Sequence, residues 1–182
     1  MAHLYGKKVM LREYRAEDYE HMRRWVNNPR IVETLSDIFL YPHSEQNTRK
    51  FLEMATGRDW TGFVIAHAHS GEYIGQIDFV KLDHKNGFGE LGIVIGQEED
   101  HGKGYGTEAL QLLCRFAFEQ LRLNRVELVC WSFNTGARYV YEKVGFVQEG
   151  VRRKKWYRNG AFHDEICYGL LKEEWEKQSG GY

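Results

Sequence analysis

Gly102, Gly104 and Gly106 alternate at the mouth of a helix, and this constrains the chain more than any other feature. Behind them Ala109, Leu112, Leu113, Phe116, Ala117 and Leu121 recur with the spacing of one apolar helical face. Ahead of them lies an apolar strand, Phe88 to Ile95, so the chain must pass from strand to helix through a glycine-rich bend. Glycine turns sharply and lets a ligand come close to the backbone. The first turn of a helix leaves N–H donors unbonded and carries partial positive charge. Together these make a cradle for an anion, best suited to a phosphate or diphosphate, and Lys103 adds a mobile cation. A plain strand-to-helix turn would use the same residues. The bend is not a P-loop, because Gly104 and not Ser or Thr follows Lys103. It is not a dinucleotide fingerprint either, since Gln97-Glu98-Glu99-Asp100 separates it from the strand.

Around this bend the pattern predicts strand Val9–Tyr14 and a helix from Glu17 to Val26, stopped by Asn27-Asn28-Pro29. Ile31 to Pro42 reads as loop-rich. Ser44 caps a second helix through Phe51, Leu52 and Met54. Strands Gly62–His67 and Tyr73–Val80 flank the Ser70-Gly71 turn, and Asn86-Gly87 makes the next hairpin. After the long helix come strand Val126–Trp131, a helix capped by Asn134 and ended by Gly145, and two strands around Asn159-Gly160. The order β-α-α-β-β-β-α-β-α-β-β predicts an α/β (α+β) fold, a mixed sheet of about seven strands with helices on both faces. The length of 182 residues, without a linker or repeat, predicts one domain over 1–182.

The capped helix holds a second constellation, Asn134-x-x-Ala137-x-x-x-Tyr141. These positions share one helix face. The small Ala137 leaves room for a ligand, and the Tyr141 hydroxyl can donate a proton. An ordinary capped helix with a tyrosine in its core stripe would look the same.

The two constellations, in this order, resemble the GNAT superfamily of acetyl-CoA-dependent N-acetyltransferases. Its phosphate motif, Gln/Arg-x-x-Gly-x-Gly/Ala, maps onto His101-x-x-Gly104-x-Gly106, with His101 in the place of Gln or Arg. The stretch Gly102 to Ala109 is similar to the subgroup that acetylates ribosomal-protein N-termini and to spermidine N-acetyltransferases. So is the ending, with Asn159-Gly160-Ala161-Phe162-His163-Asp164, Tyr168-Gly169-Leu170 and Glu174-Trp175. The resemblance runs from Leu11 to Trp175. It implies that Ile93, Val94 and Ile95 pair with the pantetheine arm of acetyl-CoA. It implies that His101, Gly102, Lys103, Gly104, Tyr105, Gly106 and Thr107 hold the diphosphate. Asn134 and Ala137 then line the pantetheine region and Tyr141 faces the sulfur. Glu90 is the expected base, and an N–H near Ile93 the oxyanion donor.

The reaction so implied is direct attack of a primary amine on the thioester. Proton transfer from a phenol (pKa about 10) to a thiolate (about 8.5) is uphill by roughly 2 kcal/mol, so a hydrogen bond describes Tyr141 better than full transfer. An α-amine is about 15% neutral at pH 7 and a lysine-like amine only about 0.04%, so a peptide N-terminus demands less of Glu90 than a polyamine. The leading acceptor is a protein N-terminal α-amine, with a polyamine or amino sugar behind it. A non-catalytic acyl-CoA-binding module is the alternative of another class.

Charge excludes little. With 25 Lys+Arg against 26 Asp+Glu, the chain lacks the basic excess of a nucleic-acid binder. Arg152 to Arg158 packs five cations into seven residues, and it suits an acidic acceptor or simply faces solvent. Glu33, Asp37 and Glu45 instead suit a cationic amine. His67 and His69 lack a third ligand, so no metal is expected. Cys114, Cys130 and Cys167 read as small buried hydrophobes. Without an apolar leader or membrane-length run the expectation is a cytoplasmic protein that binds no membrane, and self-association is left open.

Overall fold

The computed structural model describes residues 3–179. The elements in chain order are β1 (Leu4–Tyr5), β2 (Val9–Arg12), α1 (Asp18–Trp25), α2 (Pro29–Val32), α3 (Glu45–Ala55), β3 (Gly62–His67), β4 (Tyr73–Asp83) and β5 (Phe88–Ile95). They continue as α4 (Tyr105–Glu119), β6 (Arg125–Trp131), α5 (Thr135–Val144), β7 (Val147–Arg158), β8 (Ala161–Leu171) and α6 (Lys172–Ser179). The strands form one mixed sheet in the order β1-β2-β3-β4-β5-β6-β8-β7. β5 and β6 run parallel, with Glu90 opposite Glu127. The β1–β2, β2–β3, β3–β4, β6–β8 and β7–β8 pairs are antiparallel. The α/β class therefore holds, with eight strands where the pattern counts about seven. The added strand is β1, whose two residues are too few to show a period.

Local chemistry explains most boundaries. Ser44 Oγ accepts the Asn47 N–H at 3.1 Å and opens α3. Asn28 and Pro29 do end the first helix, but they also start α2. Asn28 Oδ1 accepts the Arg30 N–H at 3.1 Å, and Pro29 occupies the first helical position, where no N–H is needed. Gly145 closes α5 in the left-handed region at φ 108°, and its N–H bonds back to the Tyr141 and Glu142 carbonyls.

The chain divides into two compact units. One runs to Asp78 and adds Ile93–Leu112; the other comprises Phe79–Gly92 and the residues from Leu113 on. In the first, Met22 and Trp25 of α1, Ile31 of α2, and Leu52 and Ala55 of α3 pack with Met10, Val64, Ala66 and Tyr73 of the strands. In the second, the register pairs Val126 with Leu170 and Leu128 with Tyr168, so all four share a sheet face, and all are buried. Burying a leucine such as Leu128 stabilises the fold by about 1.5–3 kcal/mol. Among the described residues no helix is long and apolar enough to cross a membrane.

Candidate active site

The glycine bend lies wholly in the first unit. After β5, a short 3-10 turn, Glu98–Asp100, leads into it. Gly102 and Gly104 take φ of 74° and 86°, a region that residues with a Cβ rarely adopt. A Cβ on Gly102 would meet nothing within 4 Å, and one on Gly104 only the Lys8 Nζ at 3.3 Å. The backbone here is therefore open on its outer side. At Gly106, a Cβ would lie 3.9 Å from both Ile93 and Ile95, so the first turn of α4 rests against the end of β5. The first intrahelical bond runs from Glu108 N–H to Gly104 C=O. The N–H groups of Tyr105, Gly106 and Thr107 precede it and have no carbonyl within the helix to reach.

The side chains of the bend are tied back. His101 Nε2 lies 3.2 Å from the Ile95 carbonyl. Lys103, the cation its sequence position suggests, is paired within the loop. Its Nζ is 3.0 Å from Asp100 Oδ1, and that carboxylate raises the lysine pKa. A different cation takes its place. Lys8 Nζ donates to the Lys103 carbonyl at 2.8 Å, on the open side of Gly104. Lys8 is held there by Glu108 in the first turn of α4, whose carboxylate accepts the N–H groups of Lys7, Lys8 and Val9, each at 2.8 Å. No local motif marks this arrangement, which joins residues about a hundred positions apart. His67, weighed above as a metal ligand, instead meets the Tyr105 ring edge-on at 5.3 Å.

The second constellation lies in the second unit. Asn134 Oδ1 accepts the Ala137 N–H at 3.1 Å and so caps α5. Two turns on, Tyr141 is buried, with its ring 5.6 Å from Tyr168 and 6.2 Å from Phe146. Burial pushes its phenol well above the ordinary tyrosine range, and the neighbouring Cys130 and Tyr168 add to the shift. Tyr168 is itself held, donating to Glu142 at 2.9 Å. Glu90 is half-buried in the parallel stretch of β5. The cysteines are free thiols. Burial pushes the Cys130 thiol up to about 12 and Cys114 further, which removes both as nucleophiles.

The basic strip is largely engaged. Glu165, buried on β8, accepts from Arg152, from Lys155 at 3.0 Å and from Trp156 Nε1 at 2.9 Å. Desolvation pushes the Glu165 carboxyl up, but these donors outweigh it and hold it below its ordinary value. Arg158 sits 5.0 Å over the Trp131 ring. Two of the five cations, Arg153 and Lys154, keep exposed side chains that no such contact engages among the described residues.

Comparison with known proteins matches residues 8–147 to the family described as "Acetyltransferase (GNAT) domain". The "SPbeta prophage-derived uncharacterized N-acetyltransferase YokL" of Bacillus subtilis is 33% identical over 96% of each chain. The "Putative ribosomal N-acetyltransferase YdaF" of the same organism is 40% identical over 65% of this chain and 64% of its own. The "Spermidine N(1)-acetyltransferase" of Escherichia coli is 29% identical over 85% of this chain and 75% of its own. Among solved structures, the spermidine N-acetyltransferase of Vibrio cholerae in complex with CoA and spermine superposes with a TM-score of 0.81. It is 21% identical and covers 93% of this chain and 99% of its own, a likeness of fold.

Proposed function

The chain belongs to the GNAT family of N-acetyltransferases, and from that premise we propose that residues 1–182 act as one acetyltransferase domain carrying acetyl groups from acetyl-CoA to the α-amine of a protein N-terminus. The observation that carries the cofactor part is the open glycine bend at the start of α4. Its positive-φ glycines leave room for a diphosphate, and the N–H groups of Tyr105, Gly106 and Thr107 stand ready to bond it. Backbone donors do not depend on side-chain identity, so His101 in place of Gln or Arg is tolerated. Lys8 supplies the nearby positive charge that Lys103, paired to Asp100, supplies less.

Acetyl-CoA brings an activated acyl group; the remaining chemistry belongs to the chain. Ile93–Ile95 align the pantetheine arm as an added strand would, and an N–H at their start bonds the oxyanion as charge develops. Glu90 takes the proton of the amine, directly or through water. Tyr141, kept protonated by its burial, donates a hydrogen bond to the departing thiolate. Similarity to the ribosomal-type relative supports the peptide acceptor. Similarity to the spermidine enzyme supports a polyamine as second reading.

Thiol release from acetyl-CoA separates these. It is measured with serine-headed and alanine-headed peptides, spermidine and an amino sugar. Release with peptides supports the first reading and release with spermidine alone the second. CoA binding without release from any of them would make the chain a binding module.

A further inference from the structure

Asp78, on β4, is a half-buried acid the mechanism above does not use. It pairs across the sheet with Gly62 of β3, and its carboxylate lies directly over that glycine. A Cβ at position 62 would stand 1.7 Å from Oδ1, so the seat exists only because residue 62 is glycine. Oδ1 accepts from Tyr14 Oη at 2.7 Å and from Trp60 Nε1 at 3.0 Å. Oδ2 has one long contact, from Gln76 Nε2 at 3.3 Å, which leaves most of its acceptor capacity. The surround is aromatic: Tyr14, Phe51 and Trp60 meet edge to face with centroids 5.2–6.3 Å apart. Asp78, Gln76 and Trp60 all keep partial access to solvent.

What the carboxylate lacks is a cation. The other deeply held acids have theirs: Asp18 is gripped by Arg12 through bonds of 2.7 and 2.9 Å, and Glu165 by Arg152 and Lys155. Among the described residues no Lys, Arg or His pairs with Asp78. The titratable groups that bear on it are the phenols of Tyr14 and Tyr73, both neutral at physiological pH. Burial accordingly pushes the Asp78 carboxyl up to about 6, against the pull of its three donors. One link further, Tyr73 Oη donates to Gln76 at 3.3 Å and the Tyr73 ring stacks on His21, whose buried Nδ1 has no partner among the described residues. Val94, in the stretch of β5 assigned to the pantetheine arm, packs against the same core as Tyr14 and Tyr73.

A carboxylate walled by aromatic rings and left without its counter-charge is built to receive an ammonium group. We propose that Asp78 and its aromatic surround bind the acceptor's ammonium group, making Asp78 a specificity-determining residue of the acetyltransferase. The inference rests on the acetyltransferase reading and deepens it. The same chemistry serves a polyamine and a peptide α-ammonium.

The test is calorimetric titration of the full CoA-saturated chain with spermidine, with a serine-headed hexapeptide, and with the same peptide N-acetylated. Wild-type protein should bind one cationic probe and not the acetylated peptide, and which probe binds names the source. Asp78→Asn keeps an oxygen for Tyr14 and Trp60, removes the charge and gives up only the long Gln76 contact. It should weaken that binding at least about tenfold, the loss of one charge-assisted hydrogen bond, with CoA affinity unchanged and no fall in Tm at neutral pH, where the unpaired charge costs stability. Binding to wild type should also fade as pH falls below about 6 and the carboxyl takes up its proton. Binding that survives Asp78→Asn within twofold would overturn the site, as would CoA binding with neither cationic probe taken up. Failure to bind CoA at all would overturn the acetyltransferase reading and this site with it.

Discussion

The glycine bend of the first unit and the tyrosine helix of the second hold their chemistry in opposite ways. In the bend, the groups proposed to act are backbone N–H donors, and the side chains are turned elsewhere: Lys103 to Asp100, His101 to the Ile95 carbonyl, Glu108 to the N-terminal arm. Space stands open beside Gly102, and beside Gly104 except where Lys8 reaches. In α5 the group proposed to act is a side chain, that of Tyr141, packed against Tyr168 and Phe146 and made a weaker acid by burial. The first site is fixed by conformation and indifferent to residue type. The second is fixed by packing and depends on a single hydroxyl.

That contrast predicts different failures. Gly104→Val strikes it hardest. A β-branched residue at φ 86° is strained by about 1–2 kcal/mol and places bulk in the open bend. CoA affinity should fall at least about a hundredfold as the N–H cradle is lost, while Tm by calorimetry falls only by the several degrees that this strain implies. Tyr141→Phe keeps the ring and its packing. Turnover should fall about tenfold to a hundredfold, with CoA affinity within about twofold, because only a proton donor is removed. Because burial raises the phenol's pKa, its proton is retained to higher pH. The wild-type rate should therefore show no alkaline fall up to about pH 10 from this residue. Glu90→Gln should lower kcat/KM by about tenfold at neutral pH and flatten the acid limb of the pH–rate profile. An unchanged profile would remove Glu90 as the base. The smallest effect belongs to Lys8→Met, which should weaken CoA about three- to tenfold, and less at high salt. A loss as large as that of Gly104→Val would mean that a side chain, not the backbone, dominates the bend.

The legible parts of the molecule are those governed by near neighbours in sequence. Ser44, Asn134 and Gly145 act within four residues of themselves, and each caps where its type requires. Asn28-Pro29 was only half legible, since the pair that stops one helix also meets the rule for starting another. What pattern could not reveal depends on contacts across the fold. Lys8 reaches the bend through Glu108, and Asp78 owes its seat to Gly62 on the neighbouring strand. The basic strip of β7 faces solvent, as one reading of it expects, but the pairing of Arg152 and Lys155 could not be read from the pattern, because Glu165 lies on the partner strand β8. Lys103 differs in that its partner is local: Asp100, three residues away, lies in the polar loop before the bend.

The claim beneath the rest is that backbone N–H groups at the start of α4 grip the diphosphate. Amide chemical shifts recorded while CoA is titrated into the protein test it directly. The account predicts that Gly104, Tyr105, Gly106 and Thr107 move most, at the concentration that calorimetry gives for binding. Saturable CoA binding that leaves those four amides unmoved would contradict it.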